Sequence, residues 1–195
     1  CEPFTSLYEW NLPYAKWYLD GKLNVAYNCV DRHVEAGLGD RVAYHWEGEP
    51  EGERRTITYA DLLTEVVRFA NALKELGVRK GTKVAIYMGM VPELTVAMLA
   101  CTRLGAPHTV VFGGFSADSL SDRLNDMECE VLITQDAGWR KGGEVPLKRN
   151  ADEALERSPG VKTSVIWRRV GSEVEMREGR DVWAHELVEG QSDDP

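Results

Sequence analysis

From Lys83 to Trp167 the chain alternates short β-type runs with capped amphipathic helices, and this pattern restricts its fold more than any other feature. Lys83–Met88 reads as a buried strand, and Pro92 suits the first turn of a helix reaching Leu104. Thr109–Phe112 is the next strand, and Ser116 caps a helix to Met127. Glu130–Thr134 is a strand followed by a polar loop. Pro146 then opens a helix to about Arg157, and Val161–Trp167 is again a strand. Strand–helix alternation with short connections requires parallel strands, because each helix is a crossover that covers one face of the sheet. The expected class is α/β: a Rossmann-like parallel sheet with helices on both faces. No internal repeat or low-complexity segment interrupts the pattern.

Upstream, a helix is expected from Asn24 as cap to Gly37 as stop, with Val25, Cys29, Val30 and Val34 on its apolar side. His33 lies inside it and reads as structural. Arg41–Glu47 alternates as a strand, Glu49–Glu53 is an exposed turn, and Arg55–Thr58 returns as a second strand. Thr58 and Asp61 have capping-box spacing, with Asp where Glu or Gln is usual. The helix that follows runs to Leu76 with the stripe Leu62, Leu63, Val66, Phe69, Ala70 and Leu73, and Gly77 stops it. Residues 1–23 carry Phe4, Tyr8, Trp10, Tyr14, Trp17 and Tyr18 without a clean period. They are expected to form an extended arm that packs its rings onto the domain, the alternative being an oligomer contact. Beyond Arg168 the charged, irregular composition predicts a hairpin and a surface loop, with Gln191–Pro195 frayed. The expected division is an N-terminal arm and helix over 1–40 and an incomplete α/β subdomain over 41–195.

Lys and Arg number 23 against 32 Asp and Glu, a net charge of −9. A general nucleic-acid surface needs clustered cations, so no nucleic-acid partner is expected, although one small anion-binding loop is compatible with this charge. No apolar run approaches a membrane span of about 18 residues, and no signal peptide is visible. The chain begins with Cys rather than Met and is expected to be a piece of a longer product. Cys1, Cys29, Cys101 and Cys129 form no Cys-x-x-Cys pair. Three of them are expected to be small core hydrophobes, and a reducing cytoplasm fits this usage.

Two segments could carry chemistry. Phe112-Gly113-Gly114-Phe115-Ser116 lies between a strand and a helix start, where ligands approach an open parallel sheet. Paired glycines allow close approach and a helix start offers unpaired N–H groups, yet the same turn also serves a purely structural purpose. Trp139-Arg140-Lys141-Gly142-Gly143 combines two cations with two glycines, which suits a phosphate. An exposed basic pair in an acidic protein needs no ligand, so this reading too stays open on the residues alone. No Gly-x-Gly-x-x-Gly or Walker pattern, Ser-His-Asp set, paired-carboxylate signature or His-Glu-x-x-His motif is present.

The run Gly21–Glu35 contains more detail than helix physics needs, in Lys22-Leu23-Asn24-Val25 and Asn28-Cys29-Val30-Asp31-Arg32-His33. With His45–Pro50, Thr56–Leu62, Val84–Met88, Pro92–Leu94, Ala97–Cys101, Val110–Ser116, Leu132–Thr134 and Pro146–Lys148, it resembles the AMP-forming acetyl-CoA synthetases of the adenylate-forming superfamily. The resemblance covers nearly the whole chain and weakens after about Glu156. It implies the large N-terminal domain of a ligase that joins acetate to coenzyme A through acetyl-adenylate, using ATP and Mg2+. It places Phe112, Gly113 and Gly114 beside the coenzyme A adenosine, and the Arg140, Lys141, Gly142 and Gly143 loop against a coenzyme A phosphate. The family pattern there sets two basic residues around a small residue and a glycine. Here Arg140 fits the first, Lys141 takes the small position, and Gly143 stands where the second basic residue belongs.

The family's ATP loop, its aromatic-Thr-x-x-Glu motif, its ribose-binding Asp, its late catalytic Lys and its acetate pocket lie further along such chains. The expected partners are therefore acetate, ATP, coenzyme A and the remainder of the same polypeptide, with no catalytic residue in these 195 positions. Alternatives are a propionate or other short-chain acyl-CoA ligase and a non-catalytic nucleotide-binding module. A nicotinamide oxidoreductase is disfavoured because no dinucleotide fingerprint follows a strand.

Overall fold

The computed structural model describes residues 1–194. Its centre is a five-stranded parallel sheet of β5 (Val84–Met88), β6 (His108–Phe112), β7 (Val131–Gln135), β10 (Thr163–Trp167) and β11 (Asp181–Trp183), in the order β11-β10-β7-β5-β6. Every residue of β5 and β7 is buried, as expected for central strands covered on both faces. The pleat sorts their side chains. Val84, Ile86, Met88, Val131 and Ile133 enter one core with α2 (Tyr59–Glu75) and α3 (Pro92–Leu104). Ala85, Tyr87 and Leu132 enter the other with α4 (Ala117–Asp126) and α5 (Leu147–Leu155). The α/β sheet with helices on both faces is thus observed.

Local signals set the helix ends. The Asp61 N–H donates to Thr58 Oγ1 at 3.2 Å and the Thr58 N–H donates to Asp61 Oδ2 at 3.1 Å, so Asp completes the capping box despite its shorter side chain. Such a cap is worth about 1 kcal/mol. Leu62, Val66, Phe69, Ala70 and Leu73 are buried along α2, each large side chain contributing roughly 1.5–3 kcal/mol. Pro92 opens α3, and Ser116 accepts the Ser119 N–H at the start of α4.

The N-terminal expectations change in two places. Residues 1–23 form an antiparallel hairpin of β1 (Ser6–Asn11) and β2 (Tyr14–Leu19), not an arm packed on the domain. Its aromatic side chains are exposed, and Tyr8, Trp10 and Trp17 pack on one another with centroids 5.6–5.8 Å apart. A hairpin satisfies its own ladder, so the rings need no sheet beneath them. The helix beginning near Asn24 winds as a π turn over Tyr27–Asp31 before α1 (Arg32–Glu35). The wider turn rotates the apolar stripe: Ala26, Val30 and Asp31 are buried, while Val25 and Cys29 are exposed. Cys101 and Cys129 are the core cysteines, and burial pushes their thiols up to about 12 and about 11. The expected third core cysteine is absent because Cys1 and Cys29 face outward.

Among the described residues past Arg168 there is no hairpin. The chain returns parallel to β10 as β11 and ends in α6 (Ala184–Val188). The expected surface loop is present, with Glu173, Glu175, Arg177 and Glu178 exposed, but the charges of Arg180 and Asp181 are drawn inside. Lys148, 1% exposed, reaches Asp152 Oδ1 at 2.7 Å, Asp181 Oδ2 at 2.9 Å and the Glu175 carbonyl at 2.9 Å. Arg180 closes the network on Asp152 and Asp181. The tail is also tied down, by Arg68 on Asp193 and Asn71 on the Ser192 carbonyl; Pro195 lies outside the described residues. Among the described residues no helix is long and apolar enough to cross a membrane.

Candidate functional site

α3 leaves β5 toward one face, whereas α4 and α5 lie on the other. Connections that part in this way open a crevice at the carboxyl ends of the strands. The crevice is here a cleft of about 340 Å³, near the low end of ligand sites and thus suited to part of a nucleotide-sized molecule. Three turns wall it: the end of β3 (Val42–Glu47) with Gly48 and Glu49, the segment Gly89–Val91 after β5, and Phe112–Gly114 after β6. The fourth wall is a hairpin, β8 (Gly138–Arg140) and β9 (Gly143–Val145), within what reads in the sequence as a polar loop. It forms because Lys141 (φ +53°) and Gly142 (φ +73°) take consecutive left-handed conformations, the two-residue turn that matches strand twist. Nothing in Arg-Lys-Gly-Gly announces this turn, since Lys is rarely found at positive φ.

The hairpin brings together residues from separate turns. The Arg140 guanidinium lies 4.8 Å from the Phe112 ring centroid, a cation–π contact. It also rests on Gly114 so closely that a methyl group there would overlap it. A methyl at Gly113 would come within 2.9 Å of the Met88 carbonyl oxygen, so this glycine lets the turn sit against the end of β5. Arg140 has no ion-pair partner among the described residues. Arg140, Phe112, Gly113 and Gly114 line the cleft. Lys141, Gly142 and Gly143 do not: Lys141 and Gly142 form the turn, and Gly143 pairs with Arg140 in the ladder.

The contacts that brace the cleft were not legible in the sequence. Tyr87, fully buried, donates its hydroxyl to the Phe115 carbonyl at 2.8 Å, with the Gly113 carbonyl at 3.3 Å and Asn150 Nδ2 at 3.4 Å. Burial pushes the phenol up, against a smaller lowering effect from Asn150, so it stays a donor at neutral pH. Gln135 Oε1 accepts the Gly89 N–H at 3.0 Å and ties the ends of β5 and β7. Asp136, 1% exposed, accepts backbone N–H groups from Ala137, Arg169, Val170, Gly171 and Ser172 at 2.6–3.2 Å. That grip sets Arg169 over the Trp46 ring and onto Glu53, while Trp46 Nε1 donates to the Met90 carbonyl at 2.8 Å. The β3–β4 hairpin, with β4 at Arg54–Thr58, is thereby clamped beside the sheet. Apart from Asp136 with Ala137, these pairs are 26 to over 100 positions apart, and no local pattern signals them.

The result is an apolar cleft with a guanidinium at one edge, able to take a flat apolar group that carries an anion. The family model for AMP-binding enzyme matches residues 30–195, and that for the acetyl-coenzyme A synthetase N-terminus matches residues 1–29. The chain belongs to the AMP-binding enzyme family. Among similar AMP-binding enzymes is the acetyl-coenzyme A synthetase of Streptomyces avermitilis, 58% identical over 98% of this chain and 29% of that protein. The synthetase of Rubrobacter xylanophilus is 58% identical over 92% of the chain and 28% of its own length. That of Methanothrix thermoacetophila is 51% identical over 97% and 29%. The chain thus spans about three tenths of these curated AMP-binding relatives.

Proposed function

We propose that this chain is part of a ligase that activates acetate with ATP to acetyl-adenylate, releasing diphosphate, and then passes the acetyl group to the coenzyme A thiol with loss of AMP. The chain supplies scaffold and one wall of the coenzyme A entrance. Its similarity to relatives bearing the name acetyl-coenzyme A synthetase supports the reaction. The observation that carries the site is the Arg140 guanidinium, without a carboxylate partner among the described residues, stacked on Phe112 against Gly114. Arg140 meets a phosphate of coenzyme A as a charged fork, Phe112 offers a face to its adenine, and Gly113 and Gly114 let the nucleoside approach the backbone. Lys141, at the turn tip, adds positive field rather than a contact inside the cleft.

Among the described residues no group of three or more His, Cys, Asp or Glu side chains is placed to hold a metal ion.

The test uses the full-length enzyme. Arg140→Ala is expected to raise KM for coenzyme A about tenfold, the low end for a charged hydrogen bond at a screened position, with KM for ATP and acetate unchanged. The 3′-dephospho analogue of coenzyme A should lose little. Equal losses for both thiols would refute the phosphate contact.

A further inference from the structure

The turn of the Arg140 hairpin already holds an anion. The Gly142 N–H, which the two-residue turn leaves outside the ladder, donates to Glu49 Oε1 at 2.6 Å. Glu49 lies 93 residues earlier, in the turn after β3. Of the neighbouring carboxylates, Glu47 pairs with Arg54 and Glu53 with Arg169, and Glu51 has no cation partner among the described residues, but only Glu49 reaches the hairpin turn. Glu49 has no cation partner among the described residues, and neither has Arg140, two positions from Gly142. A carboxylate bound to a backbone N–H reproduces half of what a phosphate oxygen does at such a turn. Glu49 and Arg140 both line the cleft, and a phosphate, with three acceptor oxygens, has acceptors enough for the Gly142 N–H and the Arg140 fork.

We propose that Glu49 occupies the phosphate seat of this hairpin and must be displaced when the 3′-phosphate of coenzyme A binds, so that it sets the affinity for that phosphate. This inference rests on the reading that Arg140 meets that phosphate. Glu49 and the turn are both exposed, so exchanging one anion for the other costs little desolvation. Glu49 acts in two ways: it competes for the N–H, and its charge repels the incoming phosphate.

Steady-state kinetics of the full-length enzyme with coenzyme A and with its 3′-dephospho analogue tests this in Glu49→Gln, Glu49→Ala and Arg140→Ala. Glu49→Gln keeps the shape and an acceptor for Gly142 but removes the charge. It should lower KM for coenzyme A about three- to tenfold, as expected for one partly screened charge at close range. KM for the dephospho analogue and kcat should not change. Glu49→Ala, which also frees the N–H, should give at least the same gain. An unchanged or higher KM for coenzyme A in either variant, or an equal fall for both thiols, overturns the proposal; a higher KM would mark Glu49 as a strut for the hairpin. Arg140→Ala separates the two levels of inference. If it fails to discriminate between the thiols, the phosphate reading falls and the role of Glu49 falls with it. If Arg140→Ala discriminates and the Glu49 variants do not, only the displacement is wrong.

Discussion

Tyr87 shows how one atom fixes the cleft. Its position on β5 sends the ring into the core shared with α4 and α5, and its hydroxyl emerges under the Phe112–Phe115 turn. Removing that hydroxyl would leave the Phe115 carbonyl without its donor. Tyr87→Phe is expected to lower stability by about 1–2 kcal/mol, read as a lower urea midpoint with unchanged slope. It should also raise KM for coenzyme A, because the turn that carries Phe112 loosens. An unchanged midpoint would mean that water replaces the phenol. Gly113 is required for a different reason: the Met88 backbone carbonyl stands where its Cβ would go. At Gly114 the Arg140 guanidinium fills that space, so a side chain there would push the guanidinium from its seat. A sequence reading identifies a Gly-Gly pair but not what approaches it.

Among the elements, β11 departs most from expectation, and its charges explain why. A strand containing Asp181 beside Arg180 reads as surface. The Asp181 side chain is nevertheless fully shielded, because Lys148 and Arg180 meet it. Burial alone pushes its carboxyl up, but hydrogen bonds from Arg180, the Arg177 N–H and Lys148 outweigh burial and hold it below the ordinary 3.8. The sign follows from linkage. A carboxyl whose folded pKa is depressed contributes its full stabilisation above 3.8 and loses it as pH falls through the folded value. Asp61, lowered by its hydrogen bonds with Thr58, acts in the same sense. Denaturant midpoints should therefore be level from about pH 7 to about pH 5 and fall below about pH 4. Asp181→Asn should be less stable near neutrality, and its curve should converge on that of the wild type in acid. Parallel curves across the whole range would show that the pair contributes no pH-dependent stability. Removing one partner of a buried pair costs about 3–5 kcal/mol, so the neutral-pH difference should be large.

Across the whole molecule, a parallel sheet covered on both faces supports a cleft at the carboxyl ends of its strands, and the chain spans about three tenths of its AMP-binding relatives. Acetate-dependent pyrophosphate exchange by this chain alone is expected to stay at background, because the groups that stabilise a phosphoryl centre are expected further along the polypeptide. Exchange that persists through repurification would contradict that division of labour. The sheet was legible because its signals are local. Apolar runs such as Val84–Met88 mark strands buried on both faces, while Thr58, Pro92 and Ser116 mark helix starts, each within a few positions. The glycine turn and the basic segment were legible as candidates for the same local reason. Two features were decided only by tertiary contact: the parallel return of β11 and the contact of Arg140 with Phe112. The β8–β9 hairpin depends on Lys141 accepting a positive φ, which local propensity disfavours and the folded chain permits. The joining of Glu49 to Gly142 and of Asp136 to the Arg169–Ser172 turn links distant positions through hydrogen bonds that exist only once the sheet has set their ends side by side. The sequence alone therefore determined the layers and the alternation of strand and helix from β5 to β10, apart from the β8–β9 hairpin, because propensity, capping and periodicity act over one or two turns of chain. Which side chains meet at the cleft was left to the tertiary structure, because charge pairing and close approach depend on distance in space and not on spacing along the chain.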